Sequence, residues 1–523
     1  MVTNQRPFTR LKTVLSFFFD SAGVMRLAMI GALVCLAGTS PLTITYGQAR
    51  GSVIVVNTRT DGIVLSDPFQ PPTPPRCTLR DAIIAANTNR PVGVCAAGTP
   101  FPAVDTILFN IGAGTPVIHV QTQLPPILEE VSIDGGSFGA TRVELDGSRA
   151  SFIARSLGQQ AHGLFLAAGD STIRNMVINR FNGNGIVMTT NTGGSITDYT
   201  PPTISDPSIP AEPPCYARPV EPDCPPGGGG GGSYDMPDLE GAGARNRVLG
   251  CFIGTDATGT MALGNGSGLL TAGIVTDTDR HMIGGSTPAE RNVISGNFGQ
   301  GLILGGKGHS VRGNFIGVDS TGAQPLGNQF DGINIAGGEL AGAAGSIGAN
   351  TLADPECGLL PGDDRPRCGN TIAFNGRNGI NAGFNSYAIL SNSIFSNGSL
   401  GIDIETPGPT PIAVSPSRNF PSLGPYWAYV PDPNTGLLVL SIDVTIANYP
   451  DQATTVQIFR SSSCDASGFG EGQVLIKTLS GLRNGRHRIT IPSSGGVFTA
   501  TATTTLVVPR TSEFSNCFRA GFK

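Results

Sequence analysis

The chain is poor in charge: Asp, Glu, Lys and Arg make up only 14% of it, against about 25% in an average soluble domain. The formal net charge is −5 and no run of Lys and Arg stands out. The basic footprint of a nucleic-acid binder is therefore missing, and no nucleic-acid partner is expected. Histidine is scarce, with five residues scattered along 523. No two cysteines have Cys-x-x-Cys spacing, so the clustered ligands of a zinc site are absent. One tryptophan leaves little material for aromatic sugar-binding platforms. It lies in PYWAYV (425–430), where packing of a linker against the following domain is the expected role. Long apolar runs are lacking too. LAMIGALVCLAG (27–38) is twelve residues long, short of the roughly 20 needed to cross a bilayer.

Glycine, by contrast, stands at 73 residues and proline at 40, with 39% hydrophobic residues. That is too much apolar material for a disordered chain, and it suits many short strands joined by tight turns. Arg6, Arg10 and Lys12, the apolar stretch 27–38, and Gly47 and Ala49 have the order of an export signal cleaved after residue 49. Met25 is an alternative start. A secreted or cell-surface location is expected, with no transmembrane span in the mature chain. Cys35 falls in the leader, and the rest suggest the pairs Cys77–Cys95, Cys215–Cys224, Cys357–Cys368 and Cys464–Cys517. Cys251, within VLGCFIG, is expected to be a buried thiol.

The strongest signal is internal repetition. NVISGN (292–297) is followed by GNFIGV (313–318), and NTIAFN (370–375) by NSIFSN (392–397), each pair with its asparagines 22 residues apart. CFIGTDATGTMALGN (251–265) matches NFIGVDSTGAQPLGN (314–328) at an offset of 63, close to three such units. Leucine-rich repeats are excluded by the missing L-x-x-L-x-L consensus, and propellers by the short period. A period near 22 with Val/Ile strands and Gly/Asn corners is that of a right-handed parallel β-helix, whose coils stack about 4.8 Å apart. Val293 with Ile294, Leu302 with Leu304, and Ile333 with Ile335 are expected inside. Gly299, Gly301, Gly332 and Gly379 are expected at corners with positive φ, and the asparagines in bonded ladders. The Pro-rich stretch 190–240, ending in six glycines, is an insertion.

CTLRDAIIAAN (77–87) reads as an amphipathic helix with Thr78 and Asp81 at capping-box spacing, placed to plug the open first coil. This segment resembles the Cys-Ser-Leu-Arg-Glu-Ala signature of a family of bacterial surface-associated β-helix proteins, with Thr78 for Ser and Asp81 for Glu. DTILFNI (105–111), LGIDIE (400–405), CDASGFGEGQVLIKTL (464–479) and TSEFSNC (511–517) follow the same family order. The resemblance implies a pectin-lyase-like right-handed β-helix and an exported location; it implies no shared catalytic activity. Alternating strands after residue 436 suggest an antiparallel, Ig-like sandwich. The expected organisation is a signal segment (1–49), an N-terminal cap (50–104), the β-helix (105–415) and a C-terminal sandwich (416–523).

Candidate chemistry is sparse. A glycosidase needs paired carboxylates, for which Asp331 in FDGI and Asp403 with Glu405 in GIDIE are the nearest matches. Alternation with Ile402 and Ile404 places Asp403 and Glu405 toward solvent. His309, beside Arg312, is the nearest thing to a positioned base, against the plainer reading of a surface turn histidine. Asp256 and Asp319 recur at equivalent positions, as calcium ligands or, more simply, as turn residues bonding their own backbone. No cofactor is expected. The expected function is an exported structural or adhesin-like binding protein without catalytic activity, its partner an extracellular polysaccharide or another surface component. The alternative is a carbohydrate-active β-helix enzyme, a polysaccharide lyase or glycoside hydrolase acting on acidic polysaccharide.

Overall fold

Short strands with one or two inward side chains cannot bury a face alone, so they stack. The computed structural model describes residues 50–61, 75–190, 243–336, 345–349, 357, 367–383, 387–404, 407–409, 420–447, 454–492, 495–504 and 509–519. The signal segment, the Cys215–Cys224 pair and Glu405 lie outside the described residues. Three all-parallel sheets of nine, eight and seven strands run the length of a right-handed β-helix. One coil visits them in turn, as in Met282–Gly284, Val293–Ile294 and Gln300–Leu304. The next coil pairs Ser310–Arg312, Phe315–Ile316 and Ile333–Ile335 in register on those three.

Ile253, Ile294, Leu302, Leu304, Ile333 and Ile372 line one continuous, fully buried core. Val293 points the other way. Successive strand residues alternate faces, so Val293 joins Phe252 and Phe315 in a separate buried cluster outside the second sheet. Arg142 and Arg291 roof that cluster, 3.8 Å and 4.3 Å above the Phe252 and Phe315 rings.

The expectation for the four corner glycines is corrected. Positive φ occurs at Gly254, Gly284 and Gly317, and not at Gly299, Gly301, Gly332 or Gly379. Three of these form a file at the entry to the third sheet, where a Cβ on Gly301, Gly332 or Gly379 would lie 2.4–2.7 Å from the carbonyl oxygen of the next coil's glycine. Close coil approach, rather than turn conformation, requires them.

Helix α1 (Leu79–Thr88) closes the first coil, with the Thr78–Asp81 capping box formed. Arg80 is buried and forms a two-pronged ion pair with Asp61 at 2.9 and 2.8 Å. It also donates to the carbonyls of Gln123 and Thr122. A second helix, α2 (Ser148–Ser156), was not expected; it exposes Phe152 and Ile153 and buries Ala150 and Ala154, so its apolar pattern does not mark its inner face.

At the far end, two three-stranded antiparallel sheets form the C-terminal domain. Leu440, Ile442, Val456, Ile458 and Phe498 fill its core, with Trp427 packed against it. This domain is also the second plug. Phe459 and Phe514 belong to the solenoid core, and Gly472 bridges Ile394. Edge amides of the last coil, those of Ser391, Ile389 and Ile404, donate to Gln457, Thr511 and Glu513. Disulfides join Cys77–Cys95, Cys357–Cys368 and Cys464–Cys517, and Cys251 is buried and free. Among the described residues no helix is long and apolar enough to cross a membrane.

Candidate functional site

Each corner of a coil leaves backbone groups that need partners, and the chain answers with files of polar side chains. Where the second sheet begins, Asn292, Asn314, Asn370 and Asn392 bond amide to amide at 2.8–3.0 Å. Cys251 occupies the rung before them and donates its backbone N–H to Asn292 Oδ1. Burial pushes its thiol up to about 12, which disfavours the thiolate. Where that sheet ends, Asn265, Asn297, Asn328, Asn375 and Asn397 form a second ladder. Its last rung is Glu471 of the C-terminal domain, whose carboxylate accepts from the Asn397 backbone and side chain and from Ser396 N–H.

Glu471 is missing from the sequence reading. Its signal lies in GFGEGQ, an acid between glycines in a segment that folds back on the last coil. Burial and the neighbouring Asp465 charge raise its carboxyl from the usual 4.5 to about 6, against the bonds from Asn397 and Ser396. The protonated form is thus favoured by the folded state. The stabilisation is fully present below about pH 4.5 and is lost as pH rises through about 6. Exchange of the Ser396 and Asn397 amides, corrected for intrinsic rates, is expected to be faster at pH 7.5 than at pH 5 by about tenfold. The Gln variant is expected to lose that difference, and an equal pH response in Glu471→Gln would sink the assignment.

His309 is not a surface turn residue. It is 1% exposed and stacks 5.2 Å from the parallel ring of His281, with Tyr387 on its other side. Its Nδ1 accepts the His281 backbone N–H, so Nε2 bears the proton and donates to Gly305 O at 2.6 Å. Burial lowers its basicity, as it does for His281, to about 3, and for His162, to about 4. All three rings are held as structural rungs, with both nitrogens of His309 engaged.

Asp256 and Asp319 sit in two hairpin loops bridged Thr255–Ala262 and Val318–Pro325. Asp256 accepts from Thr258 N and Oγ1, Thr260 N and Met261 N, and Asp319 accepts from Thr321, Ala323 and Gln324 in the same way. Burial opposes their charge, but these bonds outweigh it and hold both carboxyls below the ordinary value. The donors are the loops' own. Among the described residues no group of three or more His, Cys, Asp or Glu is placed to hold a metal ion.

One pair of candidates is brought together. Asp331, where the third sheet begins, accepts the Asn378 backbone N–H at 2.9 Å. Asp403, on the sheet's last strand (Ile402–Ile404), accepts Asn378 Nδ2 at 2.9 Å. Asp403 does not face solvent as its alternation suggested; it is 6% exposed. Its Oδ1 makes no close hydrogen bond, and the Gly408 backbone N–H is the other donor near the carboxyl. Burial raises both carboxyls; the Asp403 charge adds to this at Asp331, where the Asn378 bond and Arg377 oppose it.

No family model matches the chain, and no curated protein does. Among solved structures it is similar to full-length tailspike protein 2 of Escherichia coli O157:H7 bacteriophage CAB120, at 12% identity and a TM-score of 0.22. The match covers 80% of this chain and spans 59% of that protein. The architecture rests on the strand pairing itself.

Proposed function

We propose that this protein is an exported, non-catalytic β-helix that serves as a binding or structural element at the cell surface. The observation that supports it most is the employment of its polar residues. His309, Asp256, Asp319 and the Asn files all satisfy backbone groups of the solenoid, leaving few free to act on a substrate. Three disulfides fit an oxidising compartment outside the cytosol. The motif segments that resemble the surface-associated family hold the solenoid's ends. In CTLRDA, Arg80 and the capping box seal the first coil; in GFGEGQ and TSEFSNC, Glu471, Thr511 and Glu513 seal the last.

The second reading, an enzyme acting on acidic polysaccharide, draws on one feature: two carboxyls with raised proton affinity sharing Asn378. The two readings part on turnover. Purified, disulfide-bonded protein is expected to leave polygalacturonate, pectate and alginate intact, with or without calcium, while retaining one of them in a pull-down. Depolymerisation that falls about 100-fold or more in Asp331→Asn or Asp403→Asn would replace the binding reading with the catalytic one.

A further inference from the structure

The C-terminal domain has a charge character unlike that of the chain as a whole. Residues 420–523 carry eight Lys and Arg against six Asp and Glu, a balance of +2 in a chain of −5. From Gly472 to Ser512 there is no acidic residue, while Lys477, Arg483, Arg486, Arg488 and Arg510 fall there. Four of these fall on two successive strands and the turn between them, Val474–Leu482 at the edge of one C-terminal sheet and Gly485–Pro492 at the edge of the other.

Arg486 and Arg488 are two apart on one strand, so their side chains share a face. Opposite them on the neighbouring strand are Thr445 and Asp443. Asp443 is fully buried and is the shared acidic partner: Arg488 Nε lies 2.9 Å from Oδ1 and Arg486 Nε 3.9 Å from Oδ2. One sunken carboxylate thus meets two guanidinium groups whose side chains remain 57% and 62% exposed. Arg483 is exposed in the turn between the two strands. Lys477 lies along the outer edge, its Nζ on Thr490 O at 2.7 Å. Edge-strand cations guard against edge-to-edge pairing, and Lys477 fits that role. Gly485–Pro492 is an edge strand as well, and Arg486 and Arg488 stand on one face of it, over the same buried carboxylate.

We propose that this arginine-bearing face binds an acidic polysaccharide, its guanidinium groups engaging successive carboxylates of the glycan. The guanidinium fork matches a carboxylate in two parallel hydrogen bonds, and the single Asp443 carboxylate offsets only one of the two positive charges it holds in place. The inference rests on the binding reading above and names its partner class.

The test titrates the intact protein with polygalacturonate, neutral dextran and duplex DNA between roughly 50 and 200 mM salt. Saturable binding of polygalacturonate is expected, weakening about tenfold or more over that range. Arg483→Gln/Arg486→Gln is expected to lower low-salt affinity about fivefold or more with melting unchanged, sparing direct loss of the closer Asp443–Arg488 pair. Arg149→Gln/Arg155→Gln, exposed on helix α2, is expected to leave affinity as it was. Unchanged affinity in the first pair, an equal loss in the second, or DNA bound as tightly as the glycan would overturn the inference. Binding of dextran alone would overturn it too while the binding reading stands; retention of no glycan at all would count against that reading itself.

Discussion

Replacing Arg80 by alanine is expected to destabilise the N-terminal cap by about 3–5 kcal/mol. Asp61 would be left with a side chain 1% exposed and, of the bonds described, only the Gln121 N–H at 2.7 Å. The carbonyls of Thr122 and Gln123 would lose their Arg80 donors too. A buried charge without its partner is costly because desolvation is no longer offset. Solenoids unfold locally as well as globally, so the readout should be local: exchange of Val53–Val56 amides in the first strand, together with urea unfolding. The double variant Arg80→Met/Asp61→Leu should recover most of the loss, since an apolar pair removes the stranded charge. A single-variant loss below about 1 kcal/mol would mean that Asp61 is not dependent on Arg80, in the range of a surface pair.

The second large effect is expected inside the ladder. Asn328 donates to Ile294 O and Asn375 Oδ1 and accepts from Asn297 N and Nδ2, all within 3.1 Å. Alanine there removes four bonds at once and strands the Asn297 donors in the interior, at a cost of about 3–5 kcal/mol. Asn328→Asp separates bonding from volume: it keeps the shape but loses both donors and places a carboxylate against the Asn375 oxygen. It should therefore be at least as damaging as alanine. Asn434→Ala, in an exposed turn, should stay within about 0.5 kcal/mol. A tolerated Asn328→Asp would show that the file is held by packing alone.

Much of the fold was legible because the solenoid is quasi-one-dimensional, each coil meeting only its neighbours. A 22-residue spacing between NTIAFN and NSIFSN reports the coil length directly, since Asn370 must lie under Asn392 for their amides to meet. The helix at 79–88 was legible from Thr78, Asp81 and the spacing of Leu79, Ile83 and Ala86, all of them buried. Two of the cysteine pairs could be drawn because their members are near neighbours in the chain, 18 and 11 residues apart, while the third spans 53.

The candidate site was harder to read. His309 and His281 are 28 residues apart, with nothing in either surrounding sequence to mark a stack; only the coil register lays one ring on the other. Glycines 301, 332 and 379 carry no sequence label for close approach as opposed to positive φ, and the distinction arises from the next coil's carbonyl.

By itself the sequence determined the parallel coil, its length, its inward Ile and Leu, its Asn corners and the helix that begins it. These are local or nearest-neighbour properties, set by side-chain alternation, turn chemistry and the repeat period. The tertiary structure alone decided that Asp331 and Asp403 meet at Asn378, that Arg80 finds Asp61, and that Glu471 completes a ladder begun more than 200 residues earlier at Asn265. Those pairings depend on where distant segments close the two ends of the solenoid. The physical reason is that an open coil end exposes unpaired amides and core, and whichever segment covers them must supply acceptors and apolar rings at positions the repeat itself does not encode.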